Sequence, residues 1–231
     1  MKVLVTGGTG FIGAHLARTL RERGDRVRVL ARRPAPELTA QGLEVVQGDI
    51  TDRAAVQAAV QGMDLVYHLA ALRDRWGWPY SLYQAVNVAG TRHLLEAAAA
   101  EGCRFVHCSS VGVALYPGNR CIDETLPYHP ASSQRYYHQT KAQAERLVLE
   151  RARRGEVAAT VVRPVITYGP GDERGMVTRM MALLARRRFI PTGSGRSHVH
   201  LAYIDDMVGG FLLAGARPEA VGQVYIIAGP R

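Results

Sequence analysis

The sequence predicts an α/β fold: a doubly wound parallel sheet with a small C-terminal part. Three observations predict it. Val3-Leu4-Val5 is an apolar run without polar alternation, the mark of a strand buried on both faces. That run stops at a glycine cluster, Thr6-Gly7-Gly8-Thr9-Gly10, and an amphipathic stretch starts at Phe11. Short apolar runs then alternate with helical stretches along most of the chain, as βαβ units require.

The glycines lie between a strand and a helix, where a dinucleotide fingerprint must lie to carry meaning. Gly8, Gly10 and Gly13 satisfy G-x-G-x-x-G, and Gly7, Gly10 and Gly13 the wider G-x-x-G-x-x-G. A turn without Cβ atoms lets backbone N–H groups and a helix N-terminus approach a pyrophosphate. Gly13, one turn into the helix, would let helix and sheet pack closely.

Taken in order, Phe11 to Arg23 reads as a helix ended by Gly24, and Val27 to Leu30 as the second strand. That strand ends at Ala31-Arg32-Arg33-Pro34. In a dinucleotide fold an acid stands there for the ribose hydroxyls of NAD, or arginine for the 2′-phosphate of NADP. Arg32 and Arg33 stand there and no acid does; Asp25 reads as a turn residue. Leu43 to Val46 is the third strand, Thr51-Asp52 caps a helix running to Gln61, and Leu65 to Leu69 is the fourth strand, entering Ala70-Ala71. The aromatic loop from Arg73 to Tyr80 reads as a substrate lid or as a plug. A helix from Ser81 to Ala100 carries Asn87. Arg104 to Cys108 is the fifth strand, ending at Ser109-Ser110, and ligands of such sheets sit at the strands' carboxyl ends. A loop from Val111 to Ser133 precedes a helix from Gln134 to Arg154, and Val157 to Arg163 is a sixth strand ended by Pro164. Beyond Gly169 the pattern loosens. A helix at Val177 to Arg187, a short strand at His198 to Ala202, a small helix capped by Asp205-Asp206 and a last strand at Val224 to Ile227 complete it. The division predicted is 1–168 for the dinucleotide-binding part and 169–231 for a partial, interleaved substrate-binding region.

Composition narrows the function classes. The chain has 231 residues, enough for one sizeable core, and 47% of them are hydrophobic. Mean hydropathy is −0.07. No apolar run reaches the ~20 residues a membrane span needs. The first strand begins at Lys2, so no signal peptide is expected. Three cysteines without C-x-x-C spacing read as reduced thiols, and the expected location is the cytoplasm, with no metal site. The net charge is +9, but the arginines are scattered, which argues against a nucleic-acid partner. Only Lys2 and Lys141 among 29 basic residues are lysine. Where nearly every cation is arginine, an interior lysine points to a task that a guanidinium cannot perform.

Tyr137 and Lys141 stand four apart on one helix face. A nearby ammonium lowers a phenol's pKa, so that it can exchange a proton near neutral pH. Ser110 adds a hydroxyl at the end of strand five. Together with the glycine loop, this combination is much more specific than its parts.

The chain resembles the extended short-chain dehydrogenase/reductases, on the dihydroflavonol-reductase and 3β-hydroxysteroid-dehydrogenase side. The resemblance rests on TGGTGFIG, GDITD, HLAA, VNVAGT, CSSVG, YHQTK, RPVITYGPGD and YIDD, in that order. It implies a Rossmann-type sheet and a Ser-Tyr-Lys mechanism with Ser110, Tyr137 and Lys141, supported by Asn87. It implies that Gly7, Gly10, Phe11, Ile12 and Gly13 hold the pyrophosphate and that Asp49 and Ile50 face the adenine. Leu69, Ala70, Ala71 and Pro164 would line the remaining cofactor path, with Tyr137 and Lys141 at its end. The cofactor implied is NADP, with NAD possible. The partners implied are a small carbonyl, alcohol or nucleotide-sugar substrate, and a second copy of the chain packed through the two long helices. A nucleotide-sugar epimerase or dehydratase with internally recycled cofactor, and a non-catalytic dinucleotide sensor or scaffold, are the alternatives.

Overall fold

The computed structural model describes residues 1–73, 77–114, 122–128, 135–173, 175–191 and 198–229. Trp76 of the aromatic loop, Cys121 and the expected helix start at Gln134 lie outside the described residues. The strands are β1 (Lys2–Thr6), β2 (Arg26–Ala31), β3 (Glu44–Gln47), β4 (Leu65–His68), β5 (Arg104–Cys108), β6 (Ala159–Pro164), β7 (Ile166–Tyr168), β8 (Leu201–Tyr203) and β9 (Val224–Ile227). The helices are α1 (Phe11–Glu22), α2 (Pro36–Ala40), α3 (Arg53–Val60), α4 (Tyr80–Tyr83), α5 (Gly90–Glu101), α6 (Tyr136–Arg153), α7 (Met176–Ala185) and α8 (Ile204–Ala216).

Seven strands form one sheet in the order β3-β2-β1-β4-β5-β6-β9, every pair parallel. This is the doubly wound sheet the sequence predicts. Side chains on successive strand residues face opposite ways. Val3 and Val5 therefore join the core with Leu16 and Leu20 of α1 and Ile204, Met207 and Phe211 of α8. Leu4 joins the opposite core, with Val56 of α3, Leu94 and Leu95 of α5 and Val148 of α6. Covering both faces is why these strands show apolar runs rather than alternation.

Because all seven strands run one way, their carboxyl ends share one edge. The glycine loop, Arg32, Asp49, Leu69, Ser110 and Pro164 all stand at or just beyond those ends. A two-stranded parallel sheet, β7–β8, lies beyond β6. There the rings of Tyr168 and Tyr203 meet edge to face at 5.6 Å.

Four readings need correction. Asp205 and Asp206 lie inside the first turn of α8, whose N-cap is Tyr203, and α8 is not small: it runs 13 residues. Acids in a first turn favour the helix through its dipole without capping it. The helix expected from Ser81 to Ala100 is interrupted by a π-helical stretch, Gln84–Ala89, joining α4 to α5. The short α2, opened by Pro36, and β7 were not expected. Both are too brief for a periodicity signal. Finally, β8 lies at Leu201–Tyr203 rather than at 198–202.

Candidate active site

The glycine loop is shaped by contacts that exclude side chains. Gly7 has a φ of 75°, and a Cβ there would lie 2.6 Å from the Ala70 amide nitrogen. A Cβ on Gly13 would lie 2.2 Å from the Gly7 carbonyl oxygen. Thus Gly7 lets the loop after β1 touch the chain after β4, and Gly13 lets α1 close over the loop. Gly10 is the N-cap of α1, and no side chain among the described residues caps that first turn. Phe11, Ile12 and Gly13 follow it. Unsatisfied amides at a helix N-terminus form a ready anion site. The wider glycine spacing, starting at Gly7, is the one with left-handed geometry. These features fit a pyrophosphate.

Beyond β2, Arg32 and Arg33 are both exposed. Asp49 Oδ1 accepts from the Thr51 amide and hydroxyl, both at 2.9 Å, which fixes the turn after β3. Ile50 beside it is buried against α5, where a Cβ on Gly90 would meet it at 2.8 Å. Leu69 and Ala70 are tied back to β1. The Leu69 amide donates to the Thr6 carbonyl (3.0 Å) and the Ala70 amide to Thr6 Oγ1 (3.2 Å). Ala71 continues this segment, half-buried. Pro164 is buried and pairs in register with Ile227.

Thr6 begins a buried polar chain that the sequence reading missed. Its hydroxyl meets His68 Nδ1 at 2.8 Å, and His68 Nε2 meets Thr91 Oγ1 at 2.9 Å. Thr91 Oγ1 donates its one proton to the Asn87 carbonyl at 2.7 Å. It must therefore accept from His68, so His68 carries its proton on Nε2 and Nδ1 accepts from Thr6. HLAA and VNVAGT contain His68 and Thr91, but no spacing rule links residues 23 apart.

Asn87 is 1% exposed. Its Oδ1 accepts from the Leu72 amide (2.7 Å), and its Nδ2 donates to the Leu72 carbonyl (3.1 Å) and to Thr140 Oγ1 (3.0 Å). The carboxamide thus acts as a strand partner for Leu72 and ties that segment to α6. All three of these bonds are internal.

Ser110 follows β5, where its Oγ accepts from the Gly112 amide at 3.1 Å. Tyr137 lies in the first turn of α6, half-buried, its ring centroid 5.4 Å from that of His138. One turn on, Lys141 is 2% exposed. Its Nζ donates to the Cys108 carbonyl at 2.6 Å and lies 3.3 Å from His107 Nε2. Burial pulls its ammonium below the usual lysine range, while Cys108 and Glu145 oppose the change. Burial pushes the Cys108 thiol up to about 11 against the pull of Lys141.

A further turn along α6, Glu145 is fully buried. It accepts from Arg163 at 2.6 and 3.1 Å, from Tyr128 at 3.1 Å and from Ser109 through a short contact. This network locks β5, β6, α6 and the 122–128 segment together around Ser110. Removing one member of such a buried ion pair costs about 3–5 kcal/mol. The i, i+4 spacing of Tyr137, Lys141 and Glu145 was the available signal for it. Among the described residues no group of His, Cys, Asp and Glu could hold a metal ion, and no helix is long and apolar enough to cross a membrane.

The profile of the NAD dependent epimerase/dehydratase family matches residues 3–228. The chain belongs to that family. It is 37% identical over 240 residues to a 3 beta-hydroxysteroid dehydrogenase/Delta 5-->4-isomerase of Mycobacterium tuberculosis (strain ATCC 25618 / H37Rv), covering 98% of this chain and 64% of that protein. It is 37% identical over 236 residues to a 2-alkyl-3-oxoalkanoate reductase of Stenotrophomonas maltophilia (strain K279a), covering 99% of this chain and 70% of the relative. Among solved structures, a short-chain dehydrogenase/reductase superfamily protein from Agrobacterium tumefaciens with bound NAD superposes with a TM-score of 0.81. It shares 31% identity over 99% of this chain and 77% of that one. The chain thus spans about two thirds of the length of the curated relatives it matches.

The buried histidines generate a pH prediction. Burial, with Lys141 adding to it, holds both His68 and His107 well below the usual imidazole range. Unfolded, each takes up a proton near pH 6.5. Below that pH the unfolded chain binds more protons, so stability is fully present above about pH 6.5 and falls as pH drops toward the depressed folded values. Each histidine contributes a slope of up to about 1.4 kcal/mol per pH unit. Denaturant unfolding at pH 7, 6 and 5 measures it. A flat profile over that range contradicts the neutral pair.

Proposed function

We propose that this chain is an NAD(P)-dependent oxidoreductase acting on a small-molecule carbonyl or secondary alcohol by a Ser-Tyr-Lys mechanism. One observation carries the reading: one of only two lysines in the chain is buried one helical turn from Tyr137, bonded beneath the strand end that leads to Ser110. Relatives named for a hydroxysteroid and an oxoalkanoate support the carbonyl or alcohol class.

When bound, the nicotinamide supplies or accepts the hydride. The chain's own groups handle the proton. In reduction, the Tyr137 hydroxyl gives its proton to the carbonyl oxygen as the C–H bond forms; in oxidation, its phenolate takes the proton of the alcohol. Lys141 favours that phenolate by its charge and holds the nicotinamide ribose. Ser110 donates a hydrogen bond to the reacting oxygen. Gly7, Gly10, Phe11, Ile12 and Gly13 hold the pyrophosphate, Asp49 and Ile50 the adenine, and Leu69, Ala70, Ala71 and Pro164 line the path between. Asn87 orients α6 against the segment at Leu72. Residues 169–231 form the substrate side, interleaved with the sheet through α8 and β9. The proposed setting is the cytoplasm, without nucleic-acid or membrane partners.

Tyr137→Phe keeps the ring and removes the hydroxyl. Cofactor binding should survive while turnover on a panel of carbonyl and nucleotide-sugar substrates falls about 10²–10⁴-fold. Lys141→Arg replaces a compact ammonium with a planar fork in a buried site, so cofactor affinity and turnover should fall together. Parent-like behaviour of Lys141→Arg in both assays discards the assignment.

Arg32 and Arg33 motivate a preference for NADP(H), because arginine–phosphate bonds are charge-assisted, on the order of 1.5–3 kcal/mol each. NADPH should bind tighter than NADH in fluorescence titrations, and Arg32→Asp should narrow or invert the difference. Equal affinities in the parent remove the case for NADP.

We also propose a homodimer packed through residues 80–101 and α6, the two long helices whose counterparts the resemblance pairs. Light scattering at micromolar concentration should return twice the chain mass; the monomer mass there excludes a stable dimer.

A further inference from the structure

His107 stands on β5, fully buried, one residue before the carbonyl that holds Lys141. An ammonium only donates hydrogen bonds, so the 3.3 Å contact requires His107 Nε2 to be the acceptor. The ring is then neutral with its proton on Nδ1, which has no partner among the described residues. A doubly protonated His107 would set two cations side by side. Across the sheet, the His68 ring lies 5.3 Å away in register with His107, and its proton is on the other nitrogen. Two neighbouring imidazoles are thus held in opposite tautomers. Each is set by its own partner: Thr91 for His68 and Lys141 for His107.

The three N–H bonds of Lys141 divide accordingly. Cys108 takes one through its backbone carbonyl and His107 takes the second. The third has no partner among the described residues. A backbone carbonyl alone fixes one direction and leaves the ammonium free to turn about it. A second acceptor at a different bearing fixes the ammonium, and with it the direction of the remaining N–H.

We propose that His107 is a positioning residue for Lys141: its neutral Nε2 completes a two-point clamp that aims the third N–H at the cofactor ribose. This rests on the reading of Lys141 given above. His107 touches neither cofactor nor substrate in this proposal; it acts through Lys141.

The test is a cofactor titration, which needs no identified substrate. The affinities of NADH and NADPH are measured by nicotinamide fluorescence for the parent, His107→Gln, His107→Asn, His107→Phe, Lys141→Met and the His107→Asn/Lys141→Met double variant. A glutamine amide reaches the place of Nε2, whereas an asparagine amide stops short of it and phenylalanine keeps only the ring. His107→Asn and His107→Phe should therefore weaken binding about three- to tenfold, the scale of coupling between neighbouring residues. His107→Gln should stay within about twofold of the parent, and the double variant should bind no more weakly than Lys141→Met. If phenylalanine does not fold at this site, the Asn–Gln comparison stands alone. Parent-like affinity in His107→Asn, equal loss in the Gln and Asn variants, or an additive loss in the double variant each overturns the proposal while leaving the role of Lys141 intact. Parent-like affinity in Lys141→Met overturns both.

Discussion

A positive charge buried under the carboxyl edge of the sheet is the constraint on which the surrounding structure turns. Removing an ammonium from water is expensive unless its hydrogen bonds are replaced. Lys141 finds replacements only because β5 ends where it does, presenting the Cys108 carbonyl, and because His107 can remain neutral. That charge also reaches His68 and helps keep it neutral, which leaves His68 able to bridge Thr6 and Thr91. The glycine loop, β4 and α5 are thereby connected to the charge through four side chains.

One helical turn away, the opposite solution is used. Glu145 and Arg163 are both buried and bond each other, and the carboxylate takes further bonds from Tyr128 and Ser109, while Arg163 Nη1 has no partner among the described residues. The two sites share the inward row of α6 that begins at Tyr137. The Arg146 guanidinium, 4.3 Å from the Tyr128 ring centroid, adds a cation–π contact on the outer side. The Ser109 hydroxyl is tied into the ion pair while Ser110 points its oxygen to its own turn. Adjacent serines thus take different tasks, one in the core and one at the rim.

Much of this was legible in the sequence because it is local. The run Val3–Val5, the glycine spacing, β5 and the cap at Thr51-Asp52 each declare themselves within a dozen residues, and the structure has β5 at Arg104–Cys108 and, of the capping pair, Asp52 accepting from the Ala54 and Ala55 amides. The last strand could be read as a strand, yet nothing nearby says that Val224–Ile227 pairs with β6 across sixty residues. The same limit hid the Thr6–His68–Thr91 chain and the place of Glu145. Buried polar networks have no periodicity; they follow from which strand ends lie side by side. α2 and β7 escaped because three to five residues carry too little pattern. Asn87 was visible as a polar residue in an apolar stretch, but its bonds to Leu72 depend on a chain segment fifteen residues earlier.

The π-helical stretch ahead of α5 has a consequence for how this helix tolerates change of length. A π turn holds one residue more than an α turn, so it shifts the phase of everything before it by roughly 100° relative to a continuous helix. Tyr80 and Tyr83 reach the ring of Tyr136 in the shifted phase, at 5.1 and 5.9 Å, while Leu94 and Leu95 fill the core in the unshifted one. Losing a single residue between 84 and 89 would give a more regular helix and a worse protein. The backbone would gain ordinary α-helical bonds, but the two tyrosines would rotate off α6. An indel that idealises the local geometry would here separate two packing registers that only the irregular turn reconciles.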